Sequence, residues 1–248
     1  MNLYRLEMLR MVRTHRWMMV IGAYLFFGVL GPLTARYMGE IIARFGGGVE
    51  IVVPDPTPVD GVLQFLSNAS QLGLLAVIVV AAGALAIDAR PEAAAFLRTR
   101  VPESWRLLAP RYTVVTATTV LALVIGTGVM WAGTAVLIGR LNPVSILTGT
   151  LFGAVYLSFA VAMVAAVAGF TRSVVATVFA SVGVAILLPV LGLVPAINRW
   201  LPSRLVNAVV EMAAGVPSSE YLPALAVAVA VTPAVLWLAA SRADAREL

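Results

Sequence analysis

Charge-free apolar runs alternate with short polar or arginine-bearing segments along the whole chain, and that alternation predicts its elements. The runs lie at about 17–35, 71–87, 112–138, 144–170, 174–195 and 222–240, and none of them contains an Asp, Glu or Arg. About 20 apolar residues let a helix cross the hydrocarbon core of a bilayer. Six such runs predict an all-α membrane protein with six transmembrane helices, built as a single domain over 1–248.

The segments between the runs carry their own patterns. Residues 1–16 place Tyr4, Met8, Met11 and His15 on one side of a helix and Arg5, Arg10, Arg13 and Arg16 on another, which predicts an interfacial helix. A signal peptide also begins basic and then apolar, but the run from Trp17 is long for one and no convincing cleavage site follows, so it is read as the first span. Gly46-Gly47-Gly48 with Pro54, Pro56 and Pro58 marks a loop, and 58–70 reads as a short surface helix ahead of the second span. Between the second and third spans lie Arg90, Arg98, Arg100, Arg106 and Arg111. There Glu92–Arg100 reads as a short helix, Val101-Pro102 breaks it, and Glu103 or Ser104 caps a second turn through Trp105 to Leu108. Residues 196–221 mix Arg199, Trp200, Arg204, Glu211 and Glu220 with many apolar residues. That is too apolar for a free loop and too charged for a span, and it predicts short helices in or dipping into the interface.

Arginine placement orients the bundle. Assigning alternate loops to alternate sides puts twelve arginines on the side of both termini and five on the other, so the termini are expected in the cytoplasm of a plasma or inner membrane.

Composition then removes function classes. Only 12% of residues are charged and 61% are hydrophobic, which excludes an ordinary globular domain. All seventeen basic residues counted as Lys+Arg are arginine, so no P-loop lysine exists and the chain is not expected to hydrolyse ATP itself. There is no cysteine, and the single histidine, His15, precedes the first span, so no Ser-His pair or HExxH zinc site can form at depth. Spans without an Asp or Glu argue against a proton- or sodium-coupled carrier. They suit an amphipathic cargo, and Thr116, Thr119, Phe152, Tyr156 and Phe159 are the candidates for lining its path. Gly149 and Gly153 form a GxxxG that lets helices approach closely.

Taken together, the arrangement resembles the six-span permease subunit of ATP-binding-cassette exporters, the type 2 ABC permeases. The matching pieces are the N-terminal helix, the loop Arg90-Pro91-Glu92-Ala93-Ala94-Ala95-Phe96-Leu97 followed by Val101 to Leu108, the turn Phe170-Thr171-Arg172-Ser173, and Arg199-Trp200-Leu201-Pro202-Ser203 before the last span. They cover nearly the whole chain, with alanines after Glu92 where many members of the family carry glycine. The resemblance implies a cytoplasmic coupling helix that docks on a separate ATPase through Glu92, Phe96, Leu97, Arg98, Arg100, Trp105 and Arg106, and an outer amphipathic re-entrant segment. It implies no enzyme activity in this chain and no cofactor bound by it, with ATP and Mg on the partner ATPase. It also implies a second permease subunit, identical or paralogous, and export of a drug- or antibiotic-like molecule. The alternatives are a permease for lipid or lipid-linked glycan, and a membrane scaffold subunit that carries nothing.

Overall fold

The computed structural model describes residues 3–45, 54–86 and 103–245, which form helices and connecting turns without a strand. In chain order the helices are α1 (Leu3–Arg13), α2 (Arg16–Phe45), α3 (Pro58–Asn68), α4 (Leu74–Leu85), α5 (Ser104–Leu137), α6 (Pro143–Phe170), α7 (Val174–Leu191), α8 (Pro195–Asn198), α9 (Ala208–Ala213) and α10 (Leu222–Asp244). A π-helical turn, Ala69–Gly73, joins α3 to α4, and 3-10 turns at Pro202–Asn207 and Ser218–Tyr221 flank α9. Six segments are long and apolar enough to cross a bilayer: Arg16–Ile42, Pro58–Leu85, Ser104–Leu137, Pro143–Phe170, Val174–Leu191 and Ser218–Asp244. By that measure the chain is a multi-pass membrane protein.

Local chemistry starts the helices. Pro58 opens α3, and the Asp60 carboxylate accepts hydrogen bonds from both the backbone N–H and the hydroxyl of Thr57 at 2.7 Å. Asn142 does the same work for α6, its Oδ1 accepting from the Val144 N–H at 2.9 Å with Pro143 in the first helical position. Between α1 and α2 the chain turns through His15, whose φ of 56° lies in the left-handed region that few side chains adopt.

Several helices run past the apolar stretches that announce them. The surface helix expected at 58–70 and the span expected from 71 are joined, because the backbone stays helical through Ala69 (φ −66°, ψ −36°) and the π turn absorbs the extra residue. The capped turn at Ser104–Leu108 and the span expected from 112 are likewise one helix. Pro110 sits inside it and removes a single backbone bond, which the flanking turns tolerate. In contrast, α7 stops at Leu191, short of the expected 195, where Gly192 and the following turns end it. Of the loop between the second and third spans, the helix expected at Glu92–Arg100 lies outside the described residues.

The core is centred on α6, the most enclosed span, which packs on α10, α5, α9 and α4, whereas α7 is the least enclosed. Gly149 lets α9 reach it: a Cβ there would stand 2.6 Å from the Val209 Cα and 3.1 Å from the Ala208 carbonyl oxygen. Val209, Leu205, Ala208 and Tyr221 are consequently buried against the bundle. On the opposite side, α2 and α5 form the most extensive helix pair, crossing at Gly28 and Gly126. At the end of the bundle that carries α1, Arg111 donates from Nε to Glu7 Oε1 at 3.0 Å and from Nη1 to the Ala84 carbonyl at 3.3 Å, tying α1 to α4 and α5. Nearby, the Ser104 N–H donates to Asp244 Oδ1 at 3.2 Å, which joins the start of α5 to the end of α10.

Candidate functional site

Among the described residues a cleft of about 830 Å³ opens at the end of the bundle away from α1. Three elements bound it. The π turn presents Ser70, Gln71 and Leu72; α7 and the turn after it present Val182, Ile186, Pro189 and Leu193; and the connection to α10 presents Asn198, Arg204, Asn207 and Glu211. The local backbone explains the placement. A π turn inserts a residue into the helical register and swings Gln71 outward, while Pro189 and Gly192 end α7 and turn the chain across the bundle.

Below the mouth the lining turns apolar. Leu74, Ile78, Tyr156 and Ala185 line the cleft and also a smaller cavity of about 20 Å³ that continues between α4, α6 and α7. That volume suits about one water molecule. Its wall includes Ser181, whose buried hydroxyl has no hydrogen-bond partner, beside Phe159 and Met163. From Gly192 at the mouth to Ser181 is eleven residues of helix and turn, so the path extends about 16 Å into the bundle at 1.5 Å per residue.

Among the described residues, the charged groups that line the cleft lie at its mouth. Arg204 donates from Nη2 to Glu220 Oε2 at 2.8 Å and lies 5.1 Å over the Tyr221 ring. Tyr221 is fully buried, packs 5.7 Å from the Phe152 ring, and donates its hydroxyl to Glu211 Oε2. The connection before α10 is thereby fastened to α6 through one aromatic pair and to itself through two polar links.

The residues singled out by sequence scatter across this arrangement. Tyr156 lines both cavities and Phe159 lines the inner one. Phe152 packs on Tyr221 instead. Thr119 is buried and its hydroxyl donates to the Val115 carbonyl at 2.8 Å, within its own helix, and neither it nor Thr116 lines either of these two cavities. At the opposite end Trp105 is half exposed, and Arg106 is bound to Glu103 at 2.7 Å in a solvent-facing pair. Glu92, Phe96, Leu97, Arg98 and Arg100 lie outside the described residues. Sequence reasoning did not single out Gln71, Ala185 or Ser181. It did single out Arg204, Glu211 and Glu220 as an unusually charged stretch, and what it lacked was the cleft that Arg204 and Glu211 line. No protein-family model matches this chain, and no curated protein matches it significantly.

Proposed function

We propose that this chain is the permease subunit of an ATP-binding-cassette exporter, forming the translocation path for an amphipathic small molecule. The observation that carries the reading is the cleft: about 830 Å³, polar at its mouth and apolar toward its inner end, in a bundle of six apolar helices. A drug-sized ligand needs several hundred cubic ångströms, mostly apolar, with a few placed polar groups. Energy comes from partner ATPase subunits that hold ATP and Mg, because the chain has no lysine for a phosphate loop. A second permease subunit completes the path.

In this reading α1 lies along the cytoplasmic interface, with its exposed Tyr4, Met8, Leu9 and Val12 against lipid. Residues 92–106 are the coupling segment, and the exposed Trp105 belongs to the surface that meets the ATPase. Short helices between 195 and 221 form the outer re-entrant segment, so the cleft opens away from the cytoplasm. The tight seating of Leu205 and Val209 on α6 supports a segment held at membrane depth.

Orientation has a direct test. Single cysteines introduced at Ala93, Asp55, Ser218 and Ala245 meet no native thiol. An impermeant maleimide applied to intact cells should label positions 55 and 218 and spare 93 and 245; external labelling at 93 overturns the coupling segment.

Transport is tested by loss and repair. Cells lacking the chain should retain an amphipathic fluorescent dye that the parent strain expels while its ATP lasts. The native chain should restore efflux, and Ala185→Trp, which fills the junction of the two cavities, should not. Dye retention that is the same with and without the chain, across a panel of amphipaths, overturns the export reading.

A further inference from the structure

We infer that the cleft selects a lipophilic cation, seated with its positive charge beside Glu211 and its apolar body between α4 and α7. This rests on the export reading and names the chemical class of its cargo. The argument is a charge balance at the mouth. Among the described residues, the charged groups lining the cleft are Arg204 and Glu211. Arg204 is already neutralised, because Glu220 accepts from its Nη2 at 2.8 Å and the Tyr221 ring covers its face at 5.1 Å. Among the described residues Glu211 has no such counter-charge. Its partner is the neutral Tyr221 hydroxyl, which occupies Oε2 and leaves the charge unbalanced. Since Glu220 claims Arg204, the negative charge that faces the cavity is that of Glu211.

A carboxylate at the wall of an apolar cavity attracts a cation and repels an anion, and the low-dielectric surroundings strengthen both effects. The depth of the cleft fits the rest of such a ligand. Leu75, Ile78, Val182 and Ile186 supply apolar walls, and the Tyr156 ring lies at the junction with the inner cavity. The neutral donors and acceptors of Gln71, Asn198 and Asn207 accommodate polar substituents without altering the sign of the site.

Tetraphenylphosphonium and tetraphenylborate test the sign alone, being alike in size and shape and opposite in charge. The full chain is placed in discs of zwitterionic phosphatidylcholine, and specific binding is read by equilibrium dialysis after subtracting protein-free discs. Tetraphenylphosphonium should bind saturably, and tetraphenylborate, dialysed in a separate experiment because the two ions pair with each other, should not. Glu211→Gln keeps an acceptor for the Tyr221 hydroxyl, so the fold is retained. It should weaken tetraphenylphosphonium about tenfold, the order expected for one partly screened charge pair. Ala185→Trp should remove saturable binding by filling the cavity. Saturable tetraphenylborate binding as tight as that of tetraphenylphosphonium, unchanged affinity in Glu211→Gln, or no saturable tetraphenylphosphonium binding to the native chain each overturns the inference. Because dialysis needs no ATPase, cation selectivity without cellular efflux sinks only the export reading. Efflux of neutral or anionic dyes without cation selectivity sinks only this one.

Discussion

Replacing Arg111 with leucine should lower the unfolding free energy by about 3–5 kcal/mol, the range for removing one partner of a buried ion pair. The Arg111 and Glu7 side chains are only 7% and 11% exposed, so the loss strands a carboxylate in a poorly hydrated place. Arg10 remains 3.6 Å from Glu7 and compensates in part, which puts the expected loss toward the lower end. The Ala84 carbonyl also loses its donor. The diagnostic variant is the double one, Glu7→Leu with Arg111→Leu. Removing both charges leaves no carboxylate stranded, and although the Ala84 carbonyl still lacks its donor, most of the stability should return. Titration with a denaturing detergent from mild micelles, followed by circular dichroism, measures all three chains. Equal losses in the single and double variants would mean that the pair is not what fastens α1 to the bundle.

That ion pair shows where sequence reading stops. Arg111 looks like one of several topology-setting arginines beside a span, and its partner lies 104 positions away on α1. No local spacing links the two, and only the packing of α1 across α4 and α5 brings them together. The six spans are legible because each carries an uninterrupted apolar run, and the burial cost of a backbone in lipid leaves helix as the available form. Their ends are less legible, since backbone hydrogen bonding propagates past the apolar run until something interrupts it. Thus α5 starts at Ser104 and carries Arg106, Pro110 and Arg111 within it.

The cleft follows the same logic. Tyr156 and Phe159 could be chosen because large aromatics in a span attract attention. Which face of α6 meets a cavity is not encoded in α6 itself, a helix that is apolar all round. Thr119 illustrates the point: its hydroxyl has an acceptor one turn back, so a threonine-rich stretch need not be a polar path. Ser181 is the converse, one of two hydroxyls in an apolar helix, and its orphaned position appears only when α7 is laid against α4 and α6. The mouth was foreshadowed by charge in an apolar segment. Its sign came from pairing, because Glu220 claims Arg204 and leaves Glu211 to the cavity.

Gly126→Leu should be among the most disruptive single changes within the spans. A Cβ at position 126 would stand 2.7 Å from the Tyr24 carbonyl oxygen, and one at Gly28 would stand 2.5 Å from the Gly126 oxygen. The obstructing atoms are backbone, which cannot rotate aside as a side chain does. Overpacking costs about 1–3 kcal/mol where neighbours can repack, so a contact that forces whole helices apart belongs at roughly 3 kcal/mol or above. The two helices involved, α2 and α5, share the largest interface in the bundle, so the damage is not local. Gly128→Leu provides the comparison. It lies two residues along the same helix, a Cβ there meets nothing within 4 Å, and the gain in helix propensity is the same. Thermal melting in micelles should show a large drop for Gly126→Leu and little change for Gly128→Leu. Similar melting of the two variants would mean that α2 and α5 are held by something other than their close approach at Gly28 and Gly126.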